Sequence, residues 1–197
     1  RASEKAKTVL EFSGADPLQW AIRMADSEMA RRGDSLVWKP QGRARWDYSV
    51  GLFALSLLKL NERSTDPRYV QYAKDVIGSF ITPEGQIQTY KPEEYNIDHI
   101  NPGKTILFLY QLTKEERYKK AAELLRKQLD THPRTSEGGF WHKQRYPHQM
   151  WLDGIYMGAP FYAEYLQFSK ANSLALDDVT KQIRLIDKYT YNAKTGL

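Results

Sequence analysis

Aspartates stand beside aromatic side chains in three separate segments of the sequence. Asp47 lies between Trp46 and Tyr48, Asp98 lies three residues after a tyrosine, and Asp153 lies two residues after a tryptophan. A carboxylate among apolar rings is poorly solvated, so it holds a proton more strongly and can act as a general acid. The three segments are therefore candidates for acid–base chemistry.

Asp153 is the most promising of the three, because it lies between Trp151 and Tyr156 in an otherwise apolar run. The alternative interpretation is an aspartate that caps the short turn to Gly154. Spacing alone favours neither the catalytic nor the capping interpretation. For Asp98 taken alone, a structural side chain bonded to loop amides is the stronger interpretation. Together, Asp153 and Asp98 supply the two carboxylates that acid–base catalysis on a sugar requires.

No recognised metal-binding or nucleotide-binding motif accompanies these aspartates. The chain has no cysteine, and its histidines do not form a zinc-binding pair; they are His99, His132, His142 and His148. A metal site is disfavoured because neither a thiolate nor a familiar ligand spacing is present. Lys143 and Arg134 are candidate ligands for an anion, although ordinary surface charge is the more common role of such residues.

The composition fits a single domain, taken as residues 1–197, with 41% hydrophobic residues and a net charge of +5. The basic residues are scattered, so they form no stripe for nucleic acid, and no apolar run is long enough to cross a membrane. A mildly basic chain that is 13% aromatic suits an acidic sugar, because sugar rings stack on aromatic faces. The alternative is that most of the aromatic residues serve the core.

Helical periodicity predicts seven helices, which alternate between amphipathic and nearly all-apolar. Their predicted starts are Asp16-Pro17, Trp46, Asp66-Pro67, Asn101-Pro102, a capping box from Thr113 to Glu116, Trp151 and Asp177-Asp178. The sixth helix is expected to be interrupted by Gly158 and Pro160. The apolar helices recur about every 50 residues, which is typical of stacked helical hairpins. This order predicts an all-α toroid with the apolar helices inside.

The connections that lead into the three apolar helices are long. They comprise residues 34–45, 81–100 and 130–150. In an alternating ring such loops all lie at one end, where binding and catalysis are usually found. We therefore expect Asp98 and Asp153 to share one cleft, with Trp151 and Trp141 near its wall.

Three segments carry a resemblance to a known family. Tyr95–Gly103, His132–Lys143 and Gln149–Gly154 resemble the unsaturated rhamnogalacturonyl hydrolases of glycoside hydrolase family 105. The unsaturated glucuronyl hydrolases of family 88 are a more distant likeness. The resemblance covers nearly the whole chain, and the pattern that follows Trp46 supports it more weakly. It implies an (α/α)6 barrel, which is a toroid of six helical hairpins.

The resemblance also implies an activity. Such enzymes remove the 4,5-unsaturated uronic acid that pectin lyases leave at a chain end, by hydrating its enol-ether double bond. Asp153 resembles the residue that protonates C4 and assists the addition of water at C5, and Asp98 resembles its supporting carboxylate. The residues that resemble the substrate-binding wall are Tyr48, His142, Lys143 and Trp151. No metal or organic cofactor is implied, and the implied partner is an acidic oligosaccharide.

The sequence supplies about three and a half of the six hairpins that this fold implies. It is therefore interpreted as the N-terminal half of such an enzyme, with inner helices that keep uncovered apolar faces. The residues expected on those faces are Leu52, Leu55, Leu107, Leu109 and Phe161. The missing C-terminal half or a second copy is expected to cover them.

Other functions stay open at this point. The chain could be a helical-repeat carbohydrate-binding fragment that lacks catalysis, or an unsaturated glucuronyl hydrolase that acts on other uronic acid oligosaccharides. A polysaccharide lyase is a weaker alternative, because the motifs do not match one. The sequence begins at Arg1 without a leader pattern, so the compartment is left open between the cytoplasm and the periplasm of a bacterium.

Overall fold

The computed structural model describes residues 11–33 and 44–196, so the connection 34–45 falls largely outside it. Within these ranges the α-helices are α1 (Pro17–Arg32), α2 (Tyr48–Ser64), α3 (Pro67–Gly78), α4 (Gly103–Thr113), α5 (Glu116–Thr131), α6 (Leu152–Phe168) and α7 (Leu176–Thr190). Short 3-10 turns span Pro92–Glu94, Ile97–His99 and Ser173–Ala175. Over the same ranges, β-type pairing is limited to isolated bridges, and every helix is too short or too polar to traverse a lipid bilayer.

The helices form three hairpins that follow α1. In these hairpins α2 packs on α3, α4 on α5 and α6 on α7, and α4 also packs against both α2 and α6. The apolar helices α2, α4 and α6 thus form an inner layer, and the amphipathic helices α3, α5 and α7 form an outer one. This alternation is the arrangement of an α/α toroid, so the all-α prediction is confirmed.

The start of α4 touches both neighbouring inner helices. Pro102 packs against Gly51 of α2, where an added Cβ would lie 2.6 Å from the proline Cα. Gly103 packs just as closely against the ring of Phe161 in α6. The Thr105 hydroxyl then donates a hydrogen bond of 2.9 Å to the carbonyl oxygen of Gly51. A side chain at either glycine would therefore push the inner helices apart.

Helix α6 is continuous through Gly158 and Pro160, contrary to the predicted interruption. A proline has no N–H, so the carbonyl oxygen four residues earlier, that of Tyr156, loses its partner within the helix. The side-chain amide of Asn101, a residue that is 1% exposed, donates to this oxygen at 3.0 Å. Asn101 therefore supplies the hydrogen bond that α6 lacks. It does not cap α4, which is contrary to the prediction. Pro102 occupies that cap position.

Aspartate caps begin α1 and α3 as predicted. The side chains of Asp16 and Asp66 each accept a hydrogen bond from a backbone N–H in the first turn. The capping box predicted at Thr113 does not form, because Thr113 is the last residue of α4 and its hydroxyl accepts from the N–H of Glu115 rather than from that of Glu116. Helix α7 begins before its predicted aspartate cap, and Asp178 bonds to another loop instead.

The apolar faces of the inner helices are covered more fully than predicted. Leu52 is exposed and Leu55 is partly buried, whereas Leu107, Leu109 and Phe161 are buried. Helix α4 lies between α2 and α6, which cover it on two sides. The expected exposure is thus wrong for the last three residues and holds, among these five, for Leu52 alone. A partner that covers this face stays a prediction.

We predict that Asn101→Leu lowers the free energy of unfolding by about 1–3 kcal/mol, because it leaves the Tyr156 carbonyl oxygen without its partner. Pro160→Ala in the same background supplies a helical N–H for that oxygen and should recover part of the loss. Urea titrations of the two single variants and the double variant measure the coupling. If Pro160→Ala changed the free energy of unfolding equally in the parent chain and in the Asn101→Leu variant, Asn101 would not be the substitute for the missing N–H of Pro160.

Candidate active site

The long-loop segments meet at the ends of the inner helices. Asp98 lies in the 3-10 turn before α4, His142 in the loop after α5, and Asp153 in the first turn of α6. One carboxylate oxygen of Asp98, one of Asp153 and one ring nitrogen of His142 all lie within 4.8 Å of one another. The predicted meeting of the two aspartates is therefore confirmed, and a histidine lies with them.

Asp98 is a buried carboxylate held by a lysine. The residue is 8% exposed, and its Oδ2 lies 2.6 Å from Nζ of Lys143. Its own backbone N–H donates to Oδ1 of Asn96, so the asparagine makes the loop turn. The structural alternative, in which the Asp98 side chain bonds to loop amides, is therefore wrong. The residue instead forms an ion pair, as a buried charge requires.

His142 lies beside the two carboxylates as a neutral ring. Burial lowers the pKa of His142, and this effect outweighs the opposite influence of Asp98 and Asp153. Its Nε2 is 3.4 Å from Oδ1 of Asp98, yet the two atoms do not form a hydrogen bond. The ring stacks on Trp151 at 4.2 Å with an interplanar angle of 10°, and Tyr146 stacks on Trp151 in turn. The stack fixes the plane of the imidazole.

Asp153 is exposed, contrary to the expectation of a poorly solvated carboxylate. Its neighbours Trp151 and Leu152 are exposed as well, so no element of the described chain shields this turn from water. The capping alternative also fails, because the N–H of Gly154 donates to the carbonyl oxygen of Trp151. Asp153 makes no hydrogen bond with the described residues, which leaves its carboxylate accessible to a ligand.

An open cleft of about 840 Å³ runs beside the Asp98–Lys143 pair. Tyr48, the first residue of α2, lines this cleft and is 40% exposed, so its ring is accessible. Charges of both signs surround it, namely those of Arg45, Asp47, Lys91, Glu93, Glu94 and Arg145. Two of the predicted binding residues, Tyr48 and Lys143, therefore share the cleft with Asp98, whereas His142 and Trp151 do not line it. Asp153 does not line it either, so the prediction of one shared cleft is confirmed only in that the two aspartates lie close together.

The two tryptophans that were expected at the wall occupy different places. Trp151 is 38% exposed and covers one face of His142 beside the cleft. Trp141 does not line the cleft; it packs against His148, with 4.6 Å between the ring centroids. Neither tryptophan lines the cleft, so the prediction of a wall formed by Trp151 and Trp141 is wrong.

Buried polar atoms without a partner concentrate in these loops. Among the described residues there are five such side-chain atoms, and four of them belong to Asp98, His99, Trp141 and His142. Unpaired buried groups destabilise a fold, and each one in a native protein calls for an explanation. Two of the four, Asp98 and His142, lie beside the accessible carboxylate of Asp153, as is typical of a site that binds a polar ligand.

The group most suited to hold a cation, among the residues described, is Asp98, His142 and Asp153. Two carboxylates and a neutral imidazole are suitable ligands in type. The ammonium of Lys143, however, is already 2.6 Å from Asp98 and would repel a metal ion there. The lysine thus supplies the positive charge that a metal would otherwise bring.

Arg134 is not an anion ligand, contrary to one of the two sequence interpretations. Its guanidinium makes two hydrogen bonds of 2.7 Å to the carboxylate of Asp178 in α7. Gln182, also in α7, accepts from the backbone N–H of Phe140 and donates to the carbonyl oxygen of Gly138. These contacts attach the loop that carries His142 and Lys143 to the outer helix α7.

Comparison with known proteins settles the family. The family model described as Glycosyl Hydrolase Family 88 matches residues 20–197. The chain belongs to this family. Among solved structures, the chain is similar to a family 105 glycoside hydrolase from C. acetobutylicum ATCC 824, with 42% sequence identity and a TM-score of 0.82. That match covers 90% of this chain and 47% of the other.

Two further structures resemble this family 88 chain in fold alone. They are possible members of family 105, from Salmonella enterica and from Klebsiella pneumoniae, with 20% and 18% identity and TM-scores of 0.74 and 0.72. Each match covers 99% of this chain and 53% of the other. The chain thus spans about half the length of the structures it matches, and its helices correspond to about half of an (α/α)6 toroid. The family resemblance found in the sequence is confirmed.

Gln128 is a polar residue of the site region that the sequence interpretation missed. It is 3% exposed on α5, and its side chain bonds to Tyr90, Asn96 and His132. Its position in the sequence could have revealed its burial, because Gln128 lies three residues after Leu125 on the apolar stripe of α5. A buried glutamine on such a stripe indicates a polar network beneath the loops.

We predict that Lys143→Met lowers the free energy of unfolding by about 3 kcal/mol, because it leaves the buried carboxylate of Asp98 unpaired. Adding Asp98→Asn should recover most of this loss, since the uncompensated charge is removed. Thermal and urea unfolding of the single variants and the double variant test the prediction. Additive losses would show that the two side chains do not act as a pair.

We predict that the stability of the family 88 chain falls as the pH is lowered from 6.5 towards 4. Burial lowers the pKa of His132 from 6.5 to about 4, so the unfolded chain binds the proton first. His132→Gln keeps an N–H for the Trp141 carbonyl oxygen but cannot be protonated. Between pH 6.5 and pH 4 the His132→Gln variant should therefore lose about 3 kcal/mol less free energy of unfolding than the parent chain. Urea unfolding across the range measures both slopes, and equal slopes would contradict the prediction.

Proposed function

We propose that the protein that carries this chain is a glycoside hydrolase. It releases 4,5-unsaturated uronic acid from pectin-derived rhamnogalacturonan oligosaccharides by hydrating the enol-ether double bond. The observation that carries the proposal is the accessible carboxylate of Asp153 within 4.8 Å of Asp98 and His142. Membership of family 88 and the likeness to a family 105 structure support the class of enzyme.

In the proposed reaction Asp153 acts as a general acid. It donates a proton to C4 of the unsaturated uronide, and the positive charge that develops at C5 is shared with the ring oxygen. Water then adds at C5 and returns a proton to Asp153, which gives a hemiketal. Opening of the hemiketal breaks the bond between C5 and the ring oxygen and leaves a ketone at C5. The hemiacetal left at C1 expels the neighbouring sugar as its alcohol.

Asp98 and Lys143 suit the supporting roles. A carboxylate at the Asp98 position stabilises the positive charge that develops on the sugar ring, in the way that fixed charges stabilise transition states. Lys143 holds this carboxylate in place and brings a cation to the wall that faces the uronate. The neutral ring of His142 lies beside the carboxylates without adding a charge. Tyr48 and Trp151 present aromatic surface to the sugar rings.

The separation of the two carboxylates argues against direct inversion at the anomeric carbon, although it is close to the roughly 5–5.5 Å of retaining glycosidases. Inverting glycosidases keep their carboxyl groups about 6.5–9.5 Å apart, so that a water molecule fits between them and the sugar. The nearest oxygens of Asp98 and Asp153 are within 4.8 Å. Protonation of a double bond needs one accessible acid and a charged neighbour, and this pair provides both.

A second candidate activity is that of an unsaturated glucuronyl hydrolase, and the match to the family 88 model favours it. The two activities share the same chemistry and differ in the sugar that leaves. Turnover of unsaturated uronyl-rhamnose compared with unsaturated uronyl-hexosamine separates them. A carbohydrate-binding fragment without catalysis remains the alternative for the isolated 197 residues, and binding of either disaccharide without turnover would support it.

We predict that Asp153→Asn abolishes turnover, because an amide can neither donate nor accept the transferred proton. The loss should reach about 10²–10⁴-fold, while substrate binding is retained. The decrease in ultraviolet absorbance of the enol ether measures the rate on the complete protein. Asp177→Asn, which changes an exposed aspartate of α7, serves as the control. More than about a tenth of the parent rate would rule out the general-acid assignment.

A further inference from the structure

The side chain of Gln128 uses both ends of its amide beneath the site loops. Its Oε1 accepts a hydrogen bond of 2.6 Å from the Tyr90 hydroxyl. Its Nε2 donates to the carbonyl oxygen of Asn96 at 3.3 Å and lies 3.3 Å from Nδ1 of His132. The ring of His132 reaches the carbonyl oxygen of Trp141 through Nε2 at 2.7 Å. A single residue of the outer helix α5 therefore contacts both loops that build the site.

The direction of each hydrogen bond in this network is determined. A carbonyl oxygen only accepts, so Nε2 of His132 must carry the proton that is donated to Trp141. The ring of His132 is neutral, which makes its Nδ1 an acceptor for the amide of Gln128. The hydroxyl of Tyr90 then donates to the other end of that amide and prevents it from flipping. The four groups thus fit together in one orientation only.

The two ends of the network lie next to the reactive groups. Asn96 is two residues before Asp98, and its side chain accepts the backbone N–H of Asp98. Trp141 directly precedes His142 and Lys143. The backbone N–H of Ile97 also donates to the carbonyl oxygen of His142 at 3.0 Å, which joins the same two loops. The backbone N–H of Gln144 donates to the carbonyl oxygen of Glu94 at 3.1 Å as well. The relative position of Asp98 and Lys143 therefore depends on Gln128 together with these two backbone bonds.

We propose that Gln128 is a positioning residue that sets the placement of the Asp98–Lys143 pair through Asn96 and through His132 with Trp141. It touches neither the substrate nor the reacting atoms. Its effect on catalysis rests on the function proposed above, whereas its effect on the two loops does not. A displacement of about 1 Å in a catalytic group can reduce a rate by about 100-fold, so such a residue can matter far from the chemistry.

Gln182 provides a matched control for Gln128. Both glutamines are 3% exposed and lie on outer helices. Gln182 also makes three hydrogen bonds, with the N–H of Phe140, the carbonyl oxygen of Gly138 and the carboxylate of Asp178. Of the two site loops, it bonds only to the one after α5 and makes no bond to the segment of Asp98. Replacing either glutamine removes the same kind of contact, but only Gln128 joins the two loops.

The kinetic test compares Gln128→Met with Gln182→Met in the complete protein. Methionine keeps the volume and removes the hydrogen bonds. Gln128→Met should lower kcat about 10- to 100-fold with KM changed less than about twofold, because placement of the charged pair matters most in the transition state. Gln182→Met should lower kcat far less at an equal loss of stability. Equal effects of the two variants on kcat would overturn the proposal.

A double-variant cycle with Lys143→Met separates positioning from a general loss of stability. If Gln128 acts through the charged pair, adding Gln128→Met to Lys143→Met should reduce the rate by less than about threefold. Gln182→Met should reduce the rate by the same factor in both backgrounds. A full multiplicative loss in the Gln128→Met/Lys143→Met variant would overturn the proposal.

Hydrogen exchange provides a readout that does not depend on activity. Gln128→Met should speed exchange in the peptides that cover both 95–101 and 139–144, whereas Gln182→Met should speed it only around 134–141. If the parent protein fails to turn over unsaturated uronides but this pattern appears, the proposed function fails and the positioning role stands. If turnover occurs and Gln128→Met leaves the peptide 95–101 unchanged, the positioning role fails.

Discussion

The segment Asn101-Pro102-Gly103 locks the three inner helices together. Pro102 occupies the space that Gly51 leaves in α2, and Gly103 lies against Phe161 of α6. The side-chain amide of Asn101 donates to the Tyr156 carbonyl oxygen of α6, which has no partner within the helix because Pro160 lacks an N–H. One short segment thus sets both helix-to-helix distances around α4. Every loop at this end of the array starts from helices whose spacing these contacts determine.

The site built on this frame combines a rigid buried half with an accessible one. Asp98, Lys143 and His142 are held by an ion pair, by stacking and by loop hydrogen bonds. Asp153 stands at the exposed first turn of α6 and has no such restraints. In the reaction proposed above, this arrangement would divide the work of catalysis, with the fixed charge stabilising the transition state and the free carboxylate exchanging protons.

Much of this arrangement could be predicted from the sequence, because periodicity and loop length report on burial and topology. The alternation of apolar and amphipathic helices led to the toroid, and the long connections led to the meeting of Asp98 and Asp153. Predictions failed where a side chain has a partner distant in sequence. Asn101 bonds to α6 rather than to its own helix, and Arg134 bonds to α7 rather than to a ligand. Local patterns do not contain such pairings.

The exposure of Asp153 could not be predicted for a different reason. Its sequence neighbours are apolar, and apolar neighbours usually indicate burial. In the structure these neighbours are themselves exposed, since the turn lies at the edge of the described helices. A sequence pattern reports which residues prefer to be covered, and only the three-dimensional arrangement shows whether an element is present to cover them.

The exchange of hydrogen bonds between Asn101 and α6 has a consequence for the order in which the chain acquires its structure. A helix that contains a proline is weak in isolation, so α6 is expected to become regular only once it docks against α4. Asn101 leaves the ribosome before Pro160, and the donor is therefore already in place when its acceptor emerges. Synthesis from the N-terminus thus favours the native pairing of these helices over the alternatives.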